Sequence, residues 1–341
     1  MELINSTGLA AVATLSPDPS IEGAHLLVVS AKATFQYSDD GRVDLDTETT
    51  LPLWEKDIPI PLGILPNDLP LLAYADDTRC ELMLIGAAYG RGAERVSVSI
   101  EIGDWSSRID AWGPHSVLEG QVSSATPFDR LPLTWEQTAG GTIEVWIDPW
   151  TAIDVSHPTN PLGAGQDPAD AAHRVVAALG APDGFPRWDL SPRALPRVVR
   201  AGDPVHPMPE PFCWAPPPPE VTTTVHRHLE SWRATRPNEE VDLEWTSAFR
   251  ADPSMVFVAA PLGHPVVLEG CTPAGTARFH LPNVRVLADF AVDGRSGTLD
   301  LEARRIVLMP EESRFYIVFH TFARLRARAA GGERSLRLRL E

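Results

Sequence analysis

The sequence has almost no lysine: of its 29 basic residues only Lys32 and Lys56 are lysines, and the rest are arginines. Cysteine is equally scarce. Cys80, Cys213 and Cys271 are odd in number and far apart, which supplies neither a disulfide framework nor the paired spacing of a zinc site. They read as buried thiols in a reducing compartment. No stretch reaches the ~18 uninterrupted apolar residues of a membrane span. The first residues include Glu2 and Asn5 and lack a basic leader, so they do not read as a signal peptide. A cytoplasmic protein without a membrane partner is expected. Positive charge is short overall, with a net charge of −17 and a pI near 5.0. Binding to nucleic acid requires a clustered basic surface, so that class of partner is set aside.

Several catalytic signatures are missing as well. There is no Gly-x-Ser-x-Gly to expose a serine on a strained turn, no phosphate-cradling Gly-x-x-x-x-Gly-Lys-Ser/Thr and no His-Glu-x-x-His. The best metal-like cluster is His226-Arg227-His228 with Glu230. It is crowded by Arg227 and Arg233 and has no evident fourth ligand, so it reads as exposed loop histidines. The acid pairs Asp39-Asp40, Asp76-Asp77 and Glu311-Glu312 sit at turns and read as solvated. Ten tryptophans, among them Trp54, Trp105, Trp112, Trp135, Trp146 and Trp150, are dispersed, as expected of indoles used for packing. The expectation is a protein that is not an enzyme and has no cofactor, metal ligand or catalytic residue.

What the chain does have is an ordinary globular balance, 43% hydrophobic and 22% charged, with β patterning at both ends. Ala24–Tyr37 (AHLLVVSAKATFQY) predicts a strand, followed by the turn Asp39-Asp40-Gly41. Cys80 to Tyr89 is a second apolar run. Val96, Val98, Ile100 and Ile102 alternate with outward-facing Ser97, Ser99 and Glu101, and Ser106 to Trp112 can pair back as a hairpin after Gly103-Asp104. Towards the C-terminus, Met255–Ala259, Pro265–Glu269, Arg278–Leu281, Asn283–Asp289, Gly297–Leu301, Arg304–Leu308 and Arg314–Arg326 read as strands. Such spacing favours a sandwich or barrel over an α/β sheet. Nine arginines fall between Arg304 and Arg339, and the tail Leu336 to Leu340 predicts a last strand with a leucine face and an arginine face.

Twelve prolines in residues 181–220 exclude long helices and central strands there, and predict a wrapped loop or linker. Two helices are expected. One is Pro168–Leu179, with proline in its first turn, Asp170 near its N-terminus and Gly180 as its stop. The other, around Thr223 to Arg233, has weaker signals. The organisation this implies is an N-terminal β portion (1–150), a proline-rich insert with a short helix (151–240) and a C-terminal β portion (241–341) packed with the first.

Several clusters recur without catalytic logic: Lys32-Ala33-Thr34-Phe35, Tyr74-Ala75-Asp76-Asp77, Thr126-Pro127-Phe128 leading to Leu131-Pro132-Leu133, Gly140-Gly141, Asn160-Pro161-Leu162-Gly163-Ala164-Gly165 and Phe279-His280-Leu281-Pro282. Their order over residues 20 to 326 resembles a bacterial type VI secretion accessory family, domain of unknown function 2169. The resemblance implies a non-enzymatic adaptor or chaperone that stabilises a secreted effector or toxin and helps load it onto the spike, with the spike protein as a further partner. Departures at Gly113-Pro114-His115, Thr138-Ala139 and Asp77-Thr78-Arg79-Cys80 suggest a divergent member.

The residues taken over from the motifs are Lys32, Thr34, Phe35, Gly140, Gly141, Asn160, Pro161, Gly163, Gly165, Leu281 and Pro282, in structural or partner-binding roles. Glycines permit positive φ and close approach, and Asn160-Pro161 favours a turn. Lys32, on an otherwise apolar strand, is read as an outward polar position, the alternative being a paired, partly buried cation. Two other functions are carried forward. A carbohydrate- or envelope-binding module or enzyme would gather aromatics and carboxylates in one cleft, and a structural component of the secretion machine would self-assemble.

Overall fold

The run Ala24–Tyr37 is buried at nearly every position, its polar residues included, and a strand of that kind must be covered on both faces. A computed structural model describes residues 2–17, 24–68, 79–180, 185–221, 251–292, 294–326 and 334–341, and in it this strand is central to a large sheet. The strand order is Glu2–Asn5, Arg334–Leu340, Val286–Val292, Arg295–Met309, Arg314–Arg326, Ala24–Tyr37 and Ala10–Pro17. Cys80–Leu84 runs parallel to Arg295–Met309, and Val43–Leu45 and Val256–Phe257 add short edges. The sheet curls into a nearly closed barrel whose two end strands, Glu2–Asn5 and Ala10–Pro17, follow one another in the chain.

A second sheet of five strands, ordered Val198–Arg200, Trp105–Trp112, Arg95–Ile102, Pro265–Glu269 and Thr276–His280, packs on the first. One apolar core joins them. Leu27, Val29, Ala31, Ala33 and Phe35 from the central strand meet Val98, Ile100, Ile109, Leu268 and Phe279 from the second sheet. Phe35 stacks on Phe315 at 5.2 Å between ring centroids, Phe315 on Phe279 at 5.3 Å, and Phe279 on Tyr37 at 4.3 Å. The fold is mainly β, as the patterning predicts.

The differences in detail have physical causes. The apolar run from Cys80 is two strands, Cys80–Leu84 and Ala87–Ala93, separated at Ile85 and Gly86, where a Cβ on Gly86 would stand 3.0 Å from the Pro310 side chain. Gly297–Leu301 and Arg304–Leu308 are one strand, Arg295–Met309, whose register shifts between Ala303 and Arg305. A bulge disturbs the period-two pattern without ending the strand. Ser99 is buried rather than outward-facing, flanked within its own sheet by its register partners Glu269 and Arg108.

The proline-rich segment does not simply wrap the outside. Phe212, Cys213, Trp214 and Ala215 are buried, the Trp214 carbonyl accepts from the Leu84 amide at 3.0 Å, and the Trp214 indole donates to Ser107 at 2.9 Å. Prolines still keep this stretch out of ladders except at edges, where Arg193–Ala194 and Val198–Arg200 lie. The predicted helix forms at Pro168–Leu179, with Asp167 accepting from the Ala169 amide and Gly180 ending it at φ 72°. The second expected helix, around Thr223 to Arg233, lies outside the described residues. In the tail, Leu336 and Leu338 are buried and Arg337 is exposed, giving the two faces expected of the last strand. No helix among the described residues is long and apolar enough to cross a membrane.

Candidate functional site

The central strand has a polar stripe. Ser30, Lys32 and Thr34 alternate with the core residues and point to the opposite face of the sheet, where the segment 46–68 lies over them. Asp46 anchors that segment: its amide donates to the Thr34 carbonyl at 2.8 Å, and its carboxylate accepts from the Thr49 amide at 2.8 Å and from Gln36 at 3.1 Å. The Leu51 amide donates to the Thr34 hydroxyl at 3.1 Å. Lys32 is completely buried, which corrects its reading as an outward position. An outward position requires a solvated face, and at Lys32 that face is covered by Pro52, Trp54 and Asp68. The Lys32 ammonium donates to the Pro52 carbonyl at 2.8 Å and pairs with Asp68, also completely buried. It lies 3.3 Å from the centroid of Trp54 and 4.3 Å from that of Tyr316, a cation held against two aromatic faces.

A second ion pair continues the cluster. Arg305 pairs with Glu81 and donates to the Asn67 carbonyl, next to Asp68. Glu81 also accepts from the Ala251 amide at 3.2 Å. His320 meets the Ser30 hydroxyl at 2.9 Å on the same face. Burial dominates the electrostatics here. It pushes the Lys32 amine down to about 8 against the opposing pull of Asp68, raises the Asp68 carboxyl despite Lys32 and Arg305, and drops His320 to about 3, with Arg305 and Arg304 adding to the effect. Burial also acts to lower Arg305, but Glu81 and Asp68 outweigh it and hold the guanidinium charged. A buried pair of this kind is costly to form and more costly to break, so its effect is to fix which segment covers the sheet.

The Gly and Asn motifs form a separate centre. Asn160 is completely buried, and its amide nitrogen lies 2.9 Å from the Trp135 carbonyl, 2.8 Å from the Thr138 hydroxyl and 2.9 Å from the Ala139 carbonyl. A Cβ on Gly140 would stand 2.2 Å from the Asn160 carbonyl oxygen, and one on Gly163 2.6 Å from the Asn160 side chain, so only glycine fits at either place. Gly140 and Gly165 pair across a short parallel bridge, and the Gly141 amide donates to the Asn160 carbonyl at 2.8 Å. The Pro161 carbonyl accepts from Thr142 at 3.1 Å. Thr34 and Phe35 belong to the sheet already described, Leu281 is in the core, and Pro282 is half-buried beyond it. The structure thus brings Gly140, Gly141, Asn160, Pro161, Gly163 and Gly165 together and leaves Lys32, Thr34 and Leu281 elsewhere. Beside the knot, a groove of about 540 Å³ opens between Pro59, Ile64, Pro132, Trp135, Leu162 and Pro216.

Among the acid pairs, Asp39-Asp40 is exposed, while Glu311 is held by Arg130 at 2.8 Å and by Tyr89 at 2.6 Å. Asp76-Asp77 and the cluster His226, His228 and Glu230 lie outside the described residues. Among the described residues no group of three or more His, Cys, Asp or Glu side chains is placed to hold a metal ion. Sequence reasoning missed Asp68, Glu81, Arg305, Tyr316 and His320. They converge only through sheet pairing, and the lone lysine in an apolar strand was the one local sign of them.

A satellite lobe carries the largest exposed aromatics. The hairpin Thr142–Trp146 and Ala152–Ser156 packs on the helix Pro168–Leu179 through Val145, Ala171, Ala172 and Val175, apart from the main core. Trp146 exchanges both backbone hydrogen bonds with Arg187, at 2.8 and 2.9 Å. This seats Phe185, Arg187, Trp188 and Asp189 next to Trp146 and Asp148 in a cleft of about 560 Å³. The Arg187 guanidinium lies 4.8 Å from the centroid of Phe185.

Residues 22–320 match the family described as "Uncharacterized protein conserved in bacteria (DUF2169)". No curated protein and no solved structure matches the chain.

Proposed function

We propose that this chain, which belongs to the uncharacterized bacterial family DUF2169, is a non-enzymatic adaptor that binds and stabilises a type VI secretion effector for loading onto the spike. The observation that carries this reading is the outer edge of the strand Ala10–Pro17. One side of it pairs with the central strand along its whole length. Among the described residues, no backbone group hydrogen-bonds to the other side. From Ala10 to Ser16 the strand carries no charge and its proline, Pro17, stands at the last position, whereas an edge meant to stay unpaired is usually blunted along its length with lysine, proline or a bulge. An uncharged open edge accepts an extended segment of a partner by strand addition. The type VI assignment is supported by the motif resemblance, and the net charge of −17 suits a basic effector steered by complementary charge.

The test is an affinity pull-down of the tagged chain from its native cytoplasm, with mass spectrometry of the eluate. Recovery of one toxin-like protein encoded beside it, lost at high salt, is the expected result. Thr14→Lys, at an exposed position on the edge strand, is expected to reduce that recovery at least tenfold. An eluate with no specific partner, under conditions where the neighbouring genes are expressed, overturns the reading.

A further inference from the structure

We infer that the satellite lobe is a docking face for an extended polypeptide with apolar side chains interleaved with basic ones. Of the nine large apolar side chains exposed among the described residues, seven fall between Leu118 and Leu190. Trp150 is 91% exposed and Leu190 68%. Three of the seven, Leu118, Trp146 and Leu190, line two adjoining clefts, and apolar side chains gathered in this way, unlike ones scattered singly, mark a recognition site.

The region has a groove for such a partner. A smaller cleft of about 220 Å³, lined by Leu118, Glu119, Asp167, Leu190 and Arg193, shares Trp188 and Asp189 with the larger cleft of Trp146 and Phe185. Trp188 is therefore a ridge between two adjoining depressions. It is braced from beneath, since it packs on the Val145 and Val175 cluster. Side chains of an extended chain can fill a depression on either side of such a ridge, in the manner of anchors set in pockets.

The charges on the rim select the partner. Glu119, Asp167 and Asp189 border the smaller cleft, and Asp148 and Asp189 the larger. Of the cations, Arg193 donates to the Gln166 carbonyl, and Arg187, exposed in the larger cleft with Asp148 and Asp189, lies against Phe185, so carboxylates outnumber cations there two to one. The surface presented is acidic around apolar hollows, which complements basic residues flanking apolar ones. Aromatics and carboxylates in one cleft would also suit a sugar. The aliphatic exposures of Leu118 and Leu190 at the smaller cleft favour a polypeptide, because they add apolar area but no flat ring on which a sugar can stack. The inference rests on the adaptor reading only for the partner's identity, since the proposed edge strand Ala10–Pro17 is a different surface.

The probe is a synthetic ten-residue peptide of alternating leucine and arginine, titrated into the full chain and followed by tryptophan fluorescence. A leucine–aspartate peptide and a hexamer of N-acetylglucosamine are titrated in parallel. The leucine–arginine peptide is expected to bind at least tenfold more tightly than either. Trp146→Ser in the larger cleft and Leu190→Asp in the smaller are each expected to weaken it at least tenfold. A five-residue version, too short to cross the ridge, is expected to respond to one of the two variants only. The inference is overturned if the peptide does not bind, if neither variant changes its affinity, or if the sugar hexamer binds better. Recovery of the effector at wild-type level by both variants in the pull-down also overturns it, while leaving the adaptor reading in place. Peptide binding without any captured effector does the reverse.

Discussion

The main body and the satellite lobe invert the usual partition of side chains in opposite ways. The body puts charge inside: Lys32, Asp68, Glu81 and Arg305 are buried or nearly so where the segment 46–68 meets the sheet. The lobe leaves apolar surface outside, at Trp146, Trp150, Val176, Leu179 and Leu190. Buried ion pairs contribute little net stability against an apolar alternative, but they penalise every arrangement in which a partner is missing. Exposed apolar groups cost little in the free chain and are used when something covers them. The body is therefore built to hold one conformation, and the lobe is built to meet a second molecule. The first property makes a rigid frame for the second.

Breaking the body should have the largest effect. Replacing Lys32 with Met leaves Asp68 buried without its cation, and the expected loss is about 4 kcal/mol of unfolding free energy, measured by denaturant titration. The double replacement Lys32→Met with Asp68→Leu is expected to recover most of that loss. If the double variant is no better than the single one, the pair is not the element that fixes the segment 46–68 over the sheet.

The body should also be sensitive to acid in a window set by His320. Its folded value is about 3 against an ordinary 6.5, so between those values the unfolded chain binds the extra proton and stability is lost as pH falls. The loss should begin near pH 6.5, above the range where most carboxylates titrate, and should reach about 2 kcal/mol by pH 5. His320→Gln keeps a polar partner for Ser30 but cannot take up the proton. Its stability is expected to be flat over that interval, and a wild-type slope persisting in the variant would place the acid sensitivity elsewhere.

The lobe should show the smallest effect on stability. Leu179→Ser and Leu190→Asp are at exposed positions that no core cluster uses, and each is expected to shift unfolding by within about 0.5 kcal/mol. A loss of several kcal/mol in either would mean that the side chain supports the lobe itself and would erase the contrast with the body.

Much of the scaffold is legible in the sequence. The strands Ala24–Tyr37, Pro265–Glu269 and Arg314–Arg326 and the helix Pro168–Leu179 occupy the residues that patterning and capping assign to them, because local propensity and burial agree there. The crowded glycines of the Asn160 knot were legible as places needing close approach, although not which atoms approach. Lys32 was misread for an identifiable reason. Alternation tells which residues share a face, and it does not tell whether a second layer covers that face.

The residue types and their periods by themselves determined a mainly β chain, its principal strands, the helix Pro168–Leu179 and its net negative charge. Tertiary structure alone decided that Lys32 meets Asp68, Trp54 and Tyr316, that the proline-rich segment carries Trp214 into the core, and that Trp146 and Trp188 share a cleft. The physical reason is range. Periodicity and capping act over a few neighbouring residues, whereas these contacts join strands and loops distant in the chain and form only when the whole sheet has closed around them.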